Sequence, residues 1–255
     1  MKNQLQTTLR DRDGPPTYRR TATTIGAIYL LGMVVGIGGN VLILSIFGAS
    51  DPLAAVGASR MLIAVGAMLW LLAVAGDAAH GILMFPVLRQ FNERIAFGYF
   101  GARIMDAVFV GVMALLILFQ VPLANEYLKA GSSETLQALS AVFNQAQLYA
   151  YHFGMLTVGV AGLMLCYLFY KTRLVPRFFG AWGLVGYAVI LGGSIVEVMG
   201  FNLNSIHTIP GGLWELSIGV WLIARGFSPV SLASERTLSP TTPIVPSPAT
   251  GGVTA

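Results

Sequence analysis

Four side chains whose types suit proton or ion chemistry occur in two pairs with one spacing. Asp77 and His80 are three residues apart, as are Arg103 and Asp106. A helix turns once in about 3.6 residues, so each pair shares one helix face. A short polar segment, Arg89-Gln90-Phe91-Asn92-Glu93-Arg94, lies between two long apolar runs that carry the pairs. If those runs form an antiparallel hairpin about residues 91 and 92, positions of equal depth have a constant number sum. Asp77 then lies level with Asp106, and His80 with Arg103. The guanidinium of Arg103 is thus expected to be the counter-ion of Asp77, of Asp106 or of both. Two readings stay open: an ion pair that holds the hairpin together, or a relay for a proton or small solute.

A second, weaker set comprises His152, Glu197 and Glu215, with His207 of the following linker within reach of joining them. Two histidines and two carboxylates have the donor types of a metal site. Their spacing speaks against one, because no His-x-x-x-His, Glu-x-x-His or His-Glu-x-x-His pattern is present and each ligand would come from a different element. Glu215 stands out, since Leu213-Trp214 and Leu216 flank it inside an apolar run. It is expected to point into the protein and to find a hydrogen-bond partner there. No cofactor motif is found: the glycines of Gly36-Ile37-Gly38-Gly39 lie within an apolar run with no strand before them, and there is no Gly-x-Ser-x-Gly elbow.

The elements that must position these residues follow from composition. The 255 residues are 55% hydrophobic and 10% charged, with a mean hydropathy of +0.72, whereas soluble domains carry about 25% charged residues. Water is a poor solvent for such a chain, so an all-α, polytopic membrane protein is expected, with the lipid bilayer as its main partner. A net charge of +4 with no folded basic face argues against nucleic-acid binding. The lone Cys166 precludes an intrachain disulfide and reads as a small buried hydrophobe.

Apolar runs at 24–47, 60–88, 95–121, 147–170, 178–199 and 209–227, the second interrupted late by Gly76-Asp77-Ala78-Ala79-His80, give a bundle of six transmembrane helices spanning residues 23–227. Residues 1–22 read as a disordered basic arm and 228–255 as a disordered Pro/Ser/Thr-rich tail. The first run is too long for a signal-peptide core, so no cleavage is expected. Residues 48–59 and 123–146 read as loops, the second with a short surface helix from Ser132 and following a span ended by Pro122. Nearly all Lys and Arg of the connections fall in alternate ones, the arm, 89–94, 171–177 and the flank after 225, while the other three hold only Lys129, with Arg60 at a span edge. That alternation predicts both ends on the cytoplasmic side. Gly32-x-x-x-Gly36, with Gly39 and Asn40 following, and the series Gly180, Gly183, Gly186 are expected at close helix contacts. Trp182, Trp214, Tyr167, Tyr170 and Tyr18 suit interfacial belts.

Leu148 through Leu168-Phe169-Tyr170-Lys171 to Leu174-Val175-Pro176-Arg177-Phe178-Phe179-Gly180 and Gly186-Tyr187, together with Leu213-Trp214-Glu215-Leu216 and Trp221-Leu222-Ile223-Ala224-Arg225-Gly226, resemble a bacterial membrane family, domain of unknown function 4386. Arg103 resembles an arginine at the start of that family's third helix. The resemblance implies six spans, a bacterial cytoplasmic (inner) membrane and no settled activity, with Arg103 and Glu215 as characteristic residues. Three functions remain in view: a bundle that binds or moves a small solute or proton, a structural or signalling accessory that the sequence also allows to be a homo-oligomer, and an intramembrane metal enzyme built on His152, Glu197, Glu215 and His207.

Overall fold

A computed structural model of the chain describes residues 18–131 and 133–228. Most of the basic arm and nearly all of the Pro/Ser/Thr tail lie outside the described residues. The described residues form helices α1 (Arg19–Phe47), α2 (Pro52–Ala58), α3 (Arg60–Leu88), α4 (Glu93–Ala130), α5 (Glu134–Thr172), α6 (Arg177–Val198) and α7 (Ile209–Ala224), with a 3-10 turn at Ile206–Thr208 and no strand. Helices α1, α3, α4, α5 and α6 are long and apolar enough to cross a membrane, their best 18-residue stretches having mean hydropathies of 1.7 to 2.4. Their outer faces show why water does not suit them: Val34 is 68% exposed, Met61 76% and Phe97 59%.

The long helices form a closed ring. Each packs against its sequence neighbour, and α7 returns to α1, while the short α2 lies against α4. Two apolar cores fill the ring. One, at the end carrying Arg89 and Arg173, contains Leu88, Phe169, Leu174 and Trp214. The other, at the opposite end, contains Ile43, Leu53, Ile117 and Tyr127. Asp77 of α3 and Arg103 and Asp106 of α4 fall between the residues that these helices give to the two cores.

Several elements differ from the sequence expectation. Residues 123–146 are almost wholly helical: α4 runs through Pro122 to Ala130, and α5 starts at Glu134. Proline removes one backbone donor but does not forbid continuation where the freed carbonyl finds other partners. The break between α4 and α5 is made by Gly131 in the left-handed region, φ 71°, and by Ser133, whose hydroxyl accepts from Leu136 N–H at 3.4 Å. Residues 52–58 are a helix and not a loop. Asp51 caps it, accepting from Ala54 N–H at 3.1 Å, and Pro52 occupies its first turn. Helix α3 continues without interruption through Gly76–His80, and α1 begins at Arg19, taking in Arg19 and Arg20 of the basic arm.

Glycines also sort differently. A Cβ on Gly32 would meet nothing within 4 Å, and one on Gly36 would meet only Trp70, so that pair is not a helix contact. The close approaches of α1 are at Gly26, against Gly219 of α7, and at Gly39, against Gly66 of α3. The Gly180, Gly183, Gly186 series does pack tightly, on Tyr170, on Cys166 and Trp214, and on Gly211 respectively. Trp214 is fully buried and donates its indole N–H to the Phe179 carbonyl at 2.7 Å, so it is a core residue and not part of a belt.

Candidate functional site

The hairpin geometry positions the first pair of pairs. Asn92 caps α4 by accepting from Ile95 N–H at 3.0 Å, which fixes the turn and so the register of α3 on α4. Arg103 donates to the Asp77 carboxylate through Nη2, and its Nη1 lies 3.4 Å from Asp106 Oδ2. One guanidinium thus faces both aspartates, as the equal-depth count expects. Close approach requires glycine at two positions here. A Cβ on Gly81 would sit 3.0 Å from the Arg103 Cβ, and one on Gly154 would sit 3.3 Å from Asp106 Oδ1.

His80 is bonded through Nδ1 to the Tyr99 hydroxyl and stacks edge-on to Tyr29 with centroids 4.4 Å apart. Its 1% exposure and that of Asp106 put both among the most enclosed polar groups of the molecule. Among the described residues, His80 Nε2, Arg103 Nε and both Asp106 oxygens have no hydrogen-bond partner. A buried carboxyl group without hydrogen bonds costs on the order of 1–3 kcal/mol or more. Such a cost calls for a reason.

Glu215 corrects the sequence reading. It does not join His152, Glu197 and His207; it lines the same cavity as Asp77, His80, Arg103 and Asp106. The Tyr187 hydroxyl donates to Glu215 Oε1 at 2.8 Å, supplying the partner expected for it. At about 1.5 Å rise per residue, Tyr29, Asp77, Arg103 and Glu215 all lie roughly 15 Å from the basic ends of their own helices. The cavity measures about 410 Å³ and also receives Tyr29, Trp70 and Tyr151. That volume falls within the range of small-molecule sites, about 300–1,000 Å³. The carboxyls and arginine at its floor can bind a proton or a cation; the aromatic walls can hold an apolar or cationic body.

The remaining set forms a separate cluster at the end opposite the basic turns. Glu197 Oε1 accepts from Leu203 N–H at 2.9 Å and Ser205 N–H at 3.2 Å, so it shapes the linker into α7. Its Oε2 lies 3.7 Å from His152 Nε2, while His207 Nε2 lies 3.2 Å from the Ser194 hydroxyl. Burial holds the His207 imidazole below its ordinary value, with the Glu197 carboxylate acting the other way. Among the described residues no group of three or more His, Cys, Asp or Glu side chains is arranged to hold a metal ion.

Sequence reasoning missed the tyrosines. Tyr29, Tyr99, Tyr151 and Tyr187 all sit at or beside the cavity. Tyr187, far from either end of its apolar run, carried a signal, because a buried phenol needs a partner, whereas Tyr29, Tyr99 and Tyr151 lie within five residues of a run's start, where a tyrosine also suits the interface.

An all-helical chain with five membrane-crossing candidates and ionisable groups around a central cavity defines the class: a helical membrane protein with a polar interior. The family described as Domain of unknown function (DUF4386) matches residues 24–226, and the chain belongs to it. No curated protein and no solved structure is significantly similar to it.

Proposed function

We propose that this chain binds and moves a proton or a small solute through its central cavity, as a six-span protein of the bacterial cytoplasmic membrane with both ends inside. The sixth span is α7, whose 16 residues cover about 24 Å of a hydrocarbon layer about 30 Å thick. The alternation of basic and non-basic connections supports the orientation. With that placement, Asp77, Arg103 and Glu215 stand near the bilayer midplane, where an ionisable group costs at least about 2.5–3.5 kcal/mol on insertion scales.

The observation that carries the reading is Asp106. An Arg103–Asp77 pair alone would fasten α3 to α4. Asp106 and Glu215 are extra carboxyls facing the same cavity, so three acids answer one guanidinium. Neutrality in a low-dielectric interior needs two further positive charges, which protons or a cation would supply.

The test is reconstitution into vesicles with a pH-sensitive dye inside and an imposed gradient or potential. Wild-type vesicles should dissipate the gradient faster than empty ones, and Asp106→Asn should reduce that rate tenfold or more. Equal rates for wild-type and empty vesicles across protons and several solute pools would overturn the reading in favour of a structural accessory.

A further inference from the structure

The cavity has an opening on the side of the bundle. Helices α1 and α7 are held together at their basic end, where Arg19 Nη2 donates to the Ile223 carbonyl at 2.6 Å and a Cβ on Gly219 would meet the Gly26 carbonyl oxygen at 3.2 Å. Further along, the contact is lost. Cβ atoms added at Gly32 of α1 or Gly212 of α7 would meet nothing within 4 Å, yet both glycines line the cavity. Ile37, Leu213 and Leu216 line the cavity too and are 60%, 52% and 42% exposed. Residues that face the cavity and the exterior at once mark a seam. Its margin is apolar, while the Asp77 side chain at its floor remains 32% exposed.

We infer that the ligand is an amphiphilic cation that enters from the lipid between α1 and α7, its charged head reaching Asp106 and Glu215 and its apolar body lying along the seam. This rests on the reading of the cavity as a binding site given above. Charge complementarity selects the head, since three acidic groups face one Arg103, and Asp106 is buried with neither oxygen hydrogen-bonded and only the shared Arg103 as ion-pair partner. Trp70, Tyr29 and Tyr151 add aromatic faces that attract a weakly hydrated cation. The apolar margin selects the route: a small, strongly hydrated cation would have to shed its water against Ile37 and Leu213, whereas one already dissolved in lipid would not.

Tetraphenylphosphonium, with tetramethylammonium as the water-soluble comparison, serves as probe for the purified full chain in lipid nanodiscs. Saturable tetraphenylphosphonium binding is expected, weakened tenfold or more by Asp106→Asn and by Glu215→Gln. Gly32→Phe and Gly212→Phe, which place rings in the seam, should each weaken it tenfold or more. Gly32→Ala should bind as wild type does. Absence of binding by the wild-type chain overturns the inference; if proton flux persists, only the lateral cation route falls and the translocation reading stands. Wild-type affinity in both phenylalanine variants, or equal binding of tetramethylammonium, overturns it as well.

Discussion

Tyr187 on α6 donates its phenolic hydrogen to Glu215 on α7 at 2.8 Å, joining the last two helices of the ring at the level of the central cavity. Tyr187 is itself 2% exposed, so water cannot replace the bond from the tyrosine side. Tyr187→Phe should therefore destabilise the protein by about 1 kcal/mol, the net worth of a part-buried hydrogen bond. Adding Glu215→Leu should return part of that loss, because removing both partners is milder than removing one. Unfolding in detergent measures both. A single variant within about 0.3 kcal/mol of wild type would show that the bond contributes nothing.

Arg103 serves two carboxylates, and the cost of losing it should reflect that. Arg103→Ala strands Asp77 and Asp106 together and is expected to cost about 3–5 kcal/mol. Asp77→Ala should cost less, since Arg103 keeps Asp106 at 3.4 Å. The double variant should be more stable than the sum of the singles predicts, with a coupling of about 1 kcal/mol or more. Simple additivity in the same unfolding assay would contradict the pairing.

The two sets of glycines on α1 should behave in opposite ways. Gly26→Leu drives a side chain onto the Gly219 backbone and Ile223 of α7, and should cost about 1–3 kcal/mol or more. Gly32→Ala places a methyl group in open space and should stay within about 0.5 kcal/mol of wild type. A reversed order would restore Gly32 and Gly36 as the packing motif.

Orientation can be read with thiol reagents. The chain has one cysteine, Cys166, and it is buried, so Cys166→Ala gives a silent background. Gly131→Cys should react with a membrane-impermeant maleimide added to intact cells. Lys171→Cys should react only after permeabilisation. Labelling of both from one side would remove the six-span arrangement.

The part of the site legible in the sequence is the part that short-range geometry dictates. Asp77, His80, Arg103 and Asp106 could be placed relative to one another because a four-residue connection ties α3 to α4 and leaves no freedom of register. Glu215 could not, because the rotation of α7 about its axis is set by contacts with α1, far away in sequence, and with α6 across an irregular linker that leaves the register free. The extent of α4 and α5 was hidden for a different reason. Apolar runs report where lipid would begin and end, while a helix that continues beyond the lipid into water keeps its hydrogen bonds and loses its apolar signature. Residues 123–130 and 134–146 are of that kind. Asp51-Pro52 carried a start signal for α2, a capping acid followed by a proline suited to the first turn, but the following seven residues were too few to give a period.

Arg19 also bonds the Ala224 carbonyl, at 3.3 Å, so the first turn of α1 caps the last turn of α7. A cation at the carbonyl end of a helix is favourably placed against its dipole. As a result, the first and last helices of the ring share one joint. Tension on the chain ahead of Arg19, whether from a tether, a fused domain or a bound partner, would act first on that joint and through it on how far those helices splay, whereas the chain after α7 is anchored by Ser228 N–H, which donates to the Leu174 carbonyl at 2.8 Å.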